Sequence, residues 1–200
     1  RERERGRWCD TTGVAANMAG GVGGLGLVEV LGRRQHGRVD VGFLGGAEID
    51  PEGNLNTTRT YPDGRLVRLP GSGGAGDIAS LAQRTVLIME HEPRRFREHV
   101  AYITSPGHYP GRRRGGPATL ITTLGVFDLR GGRFGVKTLH PGVPVDTLRL
   151  STGFALEVEA DVPTPPPPSP AELAYIRTAD PHGFWTGDTA SACGAPWPVC

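Results

Sequence analysis

The chain has 200 residues, 37% hydrophobic and 22% charged. This length suits one domain with a real core and is too short for two large ones. A net charge of +1 offers no broad basic field for nucleic acid, and no run of about 18 apolar residues reads as a membrane span. Compact apolar runs at Val39–Leu44 and Thr85–Met89 exclude a mostly disordered chain. Glycine reaches 31 residues without a G-x-y period, so the excess belongs to tight turns and close backbone approaches. Cys9, Cys193 and Cys200 sit near the ends without metal-ligand spacing. Such sparse cysteine points to a reducing, cytoplasmic compartment, and no signal-peptide pattern follows the Arg/Glu run at Arg1–Arg7. Lys137 is the only lysine, a bias that fits GC-rich coding. The first residue is Arg rather than Met, as expected of a start inside a longer reading frame.

Residues 1–38 form an N-terminal segment without a clean period, and Thr12–Leu31 reads as a loop entering a helix that ends near Gly32. Val39–Leu44 is a buried strand, and Asp50–Asn54 a turn. Leu55–Thr60 and Arg65–Leu69 read as short strands around a Pro62-Asp63-Gly64 turn. Ile78–Gln83 is a short helix, Thr85–Glu90 a strand, Pro93–Glu98 a helical turn and Val100–Thr104 a strand. After a Gly/Pro/Arg loop at Ser105–Pro117 come strands at Thr119–Leu129 and Phe134–Leu139 about Gly131-Gly132. Asp146–Ser151 is a short helix and Phe154–Val158 a strand. Pro163–Pro170 is a stiff spacer, read as a surface crossing ahead of an SH3 ligand. Ser169 caps a helix running to about Thr178, and residues 181–200 read as a disordered tail. The pattern predicts an α/β domain over 39–180, an open mixed sheet with short helices.

Several motifs carry two readings. Gly21–Gly26 matches the G-x-G-x-x-G dinucleotide pattern, but no good strand precedes it and no acid follows at the right spacing. Gly71-Ser72-Gly73-Gly74 is better placed, between a strand and a helix, either as a plain turn or as a loop whose N–H groups meet an anion. Asp50, Asn54 and Asn56 make either an ordinary Asx turn or a set of amides facing a carbonyl. Glu90-His91-Glu92 resembles a metal or acid–base group, with a strand-end hydrogen-bond cluster as the default. Arg112-Arg113-Arg114 is a solvated basic run or a phosphate contact, and His140-Pro141-Gly142 is a turn.

Eight segments in order resemble the family I CoA-transferases, and within them the β (B) subunits of glutaconate CoA-transferase-like enzymes. They are Val41–Asp50, Gly53–Thr58, Arg68–Ala75, Ile88–His91, Thr104–Gly107, Leu124–Asp128, Leu139–Val143 and Ser151–Phe154. The resemblance implies a fold of the NagB/RpiA/CoA-transferase-like type. It implies a glutamate nucleophile that passes through an acyl anhydride to a glutamyl-CoA thioester. It gives Gly71, Gly73 and Gly74 the oxyanion role, places Asn54 and Asn56 beside the reaction centre, and leaves Arg112, Arg113 and Arg114 for CoA phosphates. The substrates are an acyl-CoA and a carboxylic acid, the partner is an α subunit, and no metal or permanently bound cofactor is expected. The family's Glu-x-Gly element falls before residue 1, so the nucleophile is expected to be missing here. Neither the Arg/Glu run holding Glu2 and Glu4 nor Glu29 matches it. A CoA-thioester hydrolase or lyase of ring degradation on the same fold, or a non-catalytic remnant, are the alternatives.

Overall fold

The computed structural model describes Gly32 and residues 39–112, 115–159 and 161–180. Gly21–Gly26, the three cysteines, Arg113, Arg114, Glu2, Glu4, Glu29 and the tail therefore lie outside the described residues.

Five strands form the main sheet: β1 (Val41–Leu44), β6 (Arg84–Met89), β7 (Pro117–Thr122), β8 (Gly125–Arg130) and β9 (Arg133–Leu139), in the order β1-β6-β7-β8-β9. β1, β6 and β7 run parallel, and β7, β8 and β9 form an antiparallel meander. The register aligns Leu44, Leu87, Leu120, Phe127 and Val136 in one row across all five strands. All five are buried, so one apolar ladder joins the parallel and antiparallel halves. Helix α1 (Ala75–Leu81) packs against β1 and β6. Helix α2 (Val145–Leu150) buries Leu148 in the same core. On the sheet's other face, Phe43 and Ile88 are 60% and 51% exposed.

Two small antiparallel pairs lie in the connection from β1 to β6. The first joins β2 (Glu48–Ile49) to β3 (Leu55–Asn56), and the second joins β4 (Arg59–Thr60) to β5 (Val67–Arg68). The single strand expected over Leu55–Thr60 is thus two. Asn56 breaks it by accepting the N–H groups of Thr58 and Arg59 on its own side-chain oxygen. The strand expected over Thr119–Leu129 is also two, because the Thr122 hydroxyl turns the chain by accepting the N–H groups of Leu124 and Gly125. Pro93–Glu98 makes a turn and then two single bridges, Ile49 with Phe96 and Arg97 with Gly153. Val100–Thr104 and Phe154–Val158 are irregular rather than strands. Tyr102 and Ile103 of the first are exposed, whereas Phe154 of the second is in the core, with Leu156 and Val158 packed against it.

The segment from Pro166 onward belongs to a separate compact unit. There α3 (Pro170–Ala179) starts with a capping box: Ser169 Oγ accepts the Glu172 N–H, and Glu172 accepts the Ser169 N–H at 2.8 Å.

Candidate functional site

The region around Asn54, Asn56 and the glycine loop is built as three strips of chain tied side by side. The middle strip is residues 54–58. Leu55 N–H donates to the Ser105 carbonyl at 2.9 Å, and the N–H groups of Thr104 and Ser105 donate to the Leu55 carbonyl. Thr57 N–H donates to Thr104 Oγ1 at 2.9 Å, and the hydroxyls of Thr58 and Thr104 meet at 2.8 Å. On the other side, Gly71 N–H donates to the Thr57 carbonyl at 2.8 Å, and the Thr57 hydroxyl donates back to the Gly71 carbonyl at 2.9 Å. The glycine loop is therefore anchored through Thr57. Neither Thr57 nor Thr104 stands out in the sequence, because residues 47 apart carry no local pattern that pairs them.

Both asparagines are occupied inside the fold. Asn54 donates its N–H and its amide to the Asp50 carboxylate, each at 2.9 Å, and accepts the Gly107 N–H at 2.7 Å. Asn56 is fully buried and donates at 2.6 Å to both Glu48 and the Arg59 carbonyl. Their side chains fix the turn and the strip.

Gly107 lies so close to the turn that an added Cβ would stand 2.4 Å from Asn54 N and 2.3 Å from the Glu52 carbonyl oxygen. Gly107→Ala is therefore expected to push the two strips apart and cost about 1–3 kcal/mol, read by urea unfolding. An unchanged midpoint would refute this close approach.

The glycine loop is open. Gly71 and Gly73 have φ of +94° and +46°, and a Cβ on either would meet nothing within 4 Å. Among the described residues, the N–H groups of Gly73 and Gly74 make no hydrogen bond, while Ala75 N–H turns back to the Ser72 carbonyl at 2.8 Å. The helix behind the loop begins at Ala75, three residues earlier than its apolar residues indicate.

The carboxylates divide clearly. Glu48 is buried and accepts from Asn56, from the Thr60 hydroxyl at 2.6 Å and from Ala101 N–H at 3.0 Å, with Arg97 at 4.0 Å. Burial pushes its carboxyl up, but these donors outweigh burial and hold it below the usual range. Asp50 is pushed up by burial despite the bonds from Asn54. Glu90 and Glu92 share a face as their spacing indicates, and both bind Arg95. His91 between them faces inward, where it meets Thr122 at 3.1 Å and Thr152 at 2.9 Å and stacks on Phe96 with ring centroids 3.7 Å apart. Among the described residues, no group of three or more His, Cys, Asp or Glu is arranged to hold a metal ion. No helix among them is long and apolar enough to cross a membrane.

Arg112 turns inward as well. Its guanidinium donates to the carbonyls of Pro106, Gly107 and Ala79, which ties the 106–112 loop to the last turn of α1. His140 faces the Thr122 carbonyl through Nε2 at 2.9 Å.

The sequence pattern of the coenzyme A transferase family matches residues 26–151. The chain belongs to that family. It is 38% identical over 173 residues to the B-type component of the 3-oxoadipate CoA-transferase of Pseudomonas knackmussii, a match covering 77% of this chain and 65% of that protein. The chain thus spans less than two thirds of that relative's length. The crystal structure of glutaconate coenzyme A-transferase from Acidaminococcus fermentans superposes with a TM-score of 0.66 at 32% identity, covering 75% of this chain and 64% of that one. That of the decarboxylase AibA/AibB superposes with a TM-score of 0.74 at 30% identity, covering 85% and 69%. These likenesses agree with the mixed α/β sheet and with the family resemblance carried by the eight sequence segments.

Proposed function

We propose that this chain is the β half of a CoA-transferase, which moves CoA between an acyl-CoA and a carboxylic acid through a glutamyl-CoA thioester, together with an α subunit. The observation that carries this reading is the glycine loop, whose Gly73 and Gly74 N–H groups make no hydrogen bond among the described residues and where a Cβ on Gly73 would meet nothing within 4 Å. Attack on a thioester carbonyl develops an oxyanion, and two preset backbone donors stabilise it without reorganising. Gly71 and Thr104 hold Thr57, while Asn56 accepts the Thr58 N–H and Asn54 the Gly107 N–H, which fixes the neighbouring chain. Arg112 is engaged with backbone carbonyls and acts on the loop's support rather than on CoA phosphates.

Neither Glu48 nor Glu90 suits the nucleophile. Glu48 is buried under its donors, and Glu90 is paired with Arg95. The reading places the nucleophile outside the described residues, in an upstream Glu-x-Gly element. Residues 1–200 mixed with a matching α subunit are expected to give no CoA exchange, and a chain extended by that element is expected to restore it. Hydroxylamine or borohydride trapping after incubation with acyl-CoA, followed by peptide mapping, locates the modified glutamate. A modified glutamate within residues 1–200, such as Glu29, Glu48 or Glu90, would refute the assignment.

The likeness to the decarboxylase AibA/AibB supports a second reading, a lyase or hydrolase acting on an acyl-CoA over the same scaffold. Thiol release or CO2 formation without exchange into an acceptor acid would select it.

A further inference from the structure

Among the described residues, two buried hydroxyls have no protein partner: Thr85 Oγ1 and Ser105 Oγ. Each residue is only 1% exposed, and native interiors satisfy nearly all such groups. Both line the same small cavity, walled otherwise by apolar side chains that include Leu44, Leu55, Leu87 and Pro117. It offers ≈ 10 Å³ to the centre of a water molecule, which is about the smallest space that holds one.

The backbone offers these hydroxyls little. Ser105 has both its N–H and its carbonyl committed to Leu55. Thr85 sits opposite Pro117, which has no N–H, at a register shift between Thr85 and Val86. The Thr85 N–H is taken by the Gly116 carbonyl at 2.9 Å, and its hydroxyl is left without a protein partner among the described residues.

We propose that one buried water bridges Thr85 Oγ1 and Ser105 Oγ and is a built part of the fold. A water has two hydrogens and two lone pairs, so it can accept from one hydroxyl and donate to the other. No charged side chain lines the cavity, which excludes an ion, and its size excludes any larger molecule. The bridge fastens the 104–107 strip to the interior strand β6. It thereby supports Leu55–Thr57 and the glycine loop from beneath, whatever reaction that loop serves.

A crystal structure of the full chain at about 1.5 Å is expected to show one density peak within roughly 2.6–3.2 Å of both oxygens. Absence of the peak, or a peak bonded to only one of them, overturns the proposal. Thermal unfolding of Thr85→Val, Ser105→Ala and the double variant provides a second test. Each single change is expected to lower Tm by about 2–4 °C. The double change is expected to lower it by less than the sum, because the first already releases the shared water. Additive shifts, or no shift in either single variant, overturn the bridge.

Discussion

Gly73→Val is expected to lower kcat by about 10²–10³-fold in a complete CoA-transferase complex, the usual cost of losing one oxyanion donor. Two effects act together. A φ of +46° is strained for a β-branched residue, so the local N–H directions change. The new side chain also enters open space, since a Cβ there meets nothing within 4 Å. The loop's anchor is Gly71 to Thr57, so partner assembly is expected to persist, with Tm lowered by only a few degrees through the strain. Steady-state kinetics alongside sedimentation separates the two outcomes. Full activity in an assembled Gly73→Val complex would remove the oxyanion role from this loop.

Acid is expected to destabilise the fold by about 3 kcal/mol as pH falls from about 6.5 to about 4, through His91 alone. Burial pushes the His91 imidazole down to about 4 from its ordinary 6.5. Within that window the unfolded chain binds a proton that the folded chain refuses. The stabilisation is therefore complete above the unfolded value and disappears on approach to the folded one. The neutral ring fits its site. Thr152 donates its hydroxyl hydrogen to the Leu148 carbonyl and so accepts from His91 Nε2–H, while the one hydrogen of the Thr122 hydroxyl lies within reach of both His91 Nδ1 and the Gly125 carbonyl, each at 3.1 Å. A proton on Nδ1 would face the Thr122 oxygen, which already accepts two N–H groups. Urea unfolding at pH 7 and pH 4.5, with His91→Gln as the comparison, reads the effect. An imidazole that titrates near 6.5 by NMR in the folded chain would contradict it.

The large elements were legible because their residues carry the signal locally. β6 and β9 alternate or run apolar over six and seven residues, and α3 announces itself through Ser169, Pro170 and Glu172. The β7–β8 turn was not legible. It is made by a threonine hydroxyl between two apolar runs, and Gly125 at its far end is the one residue that marks it. At the site, the glycine loop was readable as a loop, and the Asn54–Asp50 pairing as a turn. The anchoring of that loop was not, because it depends on Thr57 meeting Gly71 and Thr104, groups 14 and 47 residues away. Glu90 and Glu92 followed their spacing, whereas the inward turn of His91 depends on Phe96, Thr122 and Thr152.

The connectivity of the sheet bears on the order in which the molecule assembles. The meander of β7, β8 and β9 joins neighbours in sequence, whereas β1 finds β6 only after some 40 intervening residues have been looped out. Loop closure of that length costs entropy before any ladder bond compensates for it, so pairing at this edge lags behind the local hairpins. The turn at 50–54 and the loop at 71–74 both lie inside that excursion. The candidate site is thus strung between the earliest-forming and latest-forming parts of the sheet. A chain caught midway through folding has its ladder from β7 to β9 while the glycine loop still lacks a fixed place to stand.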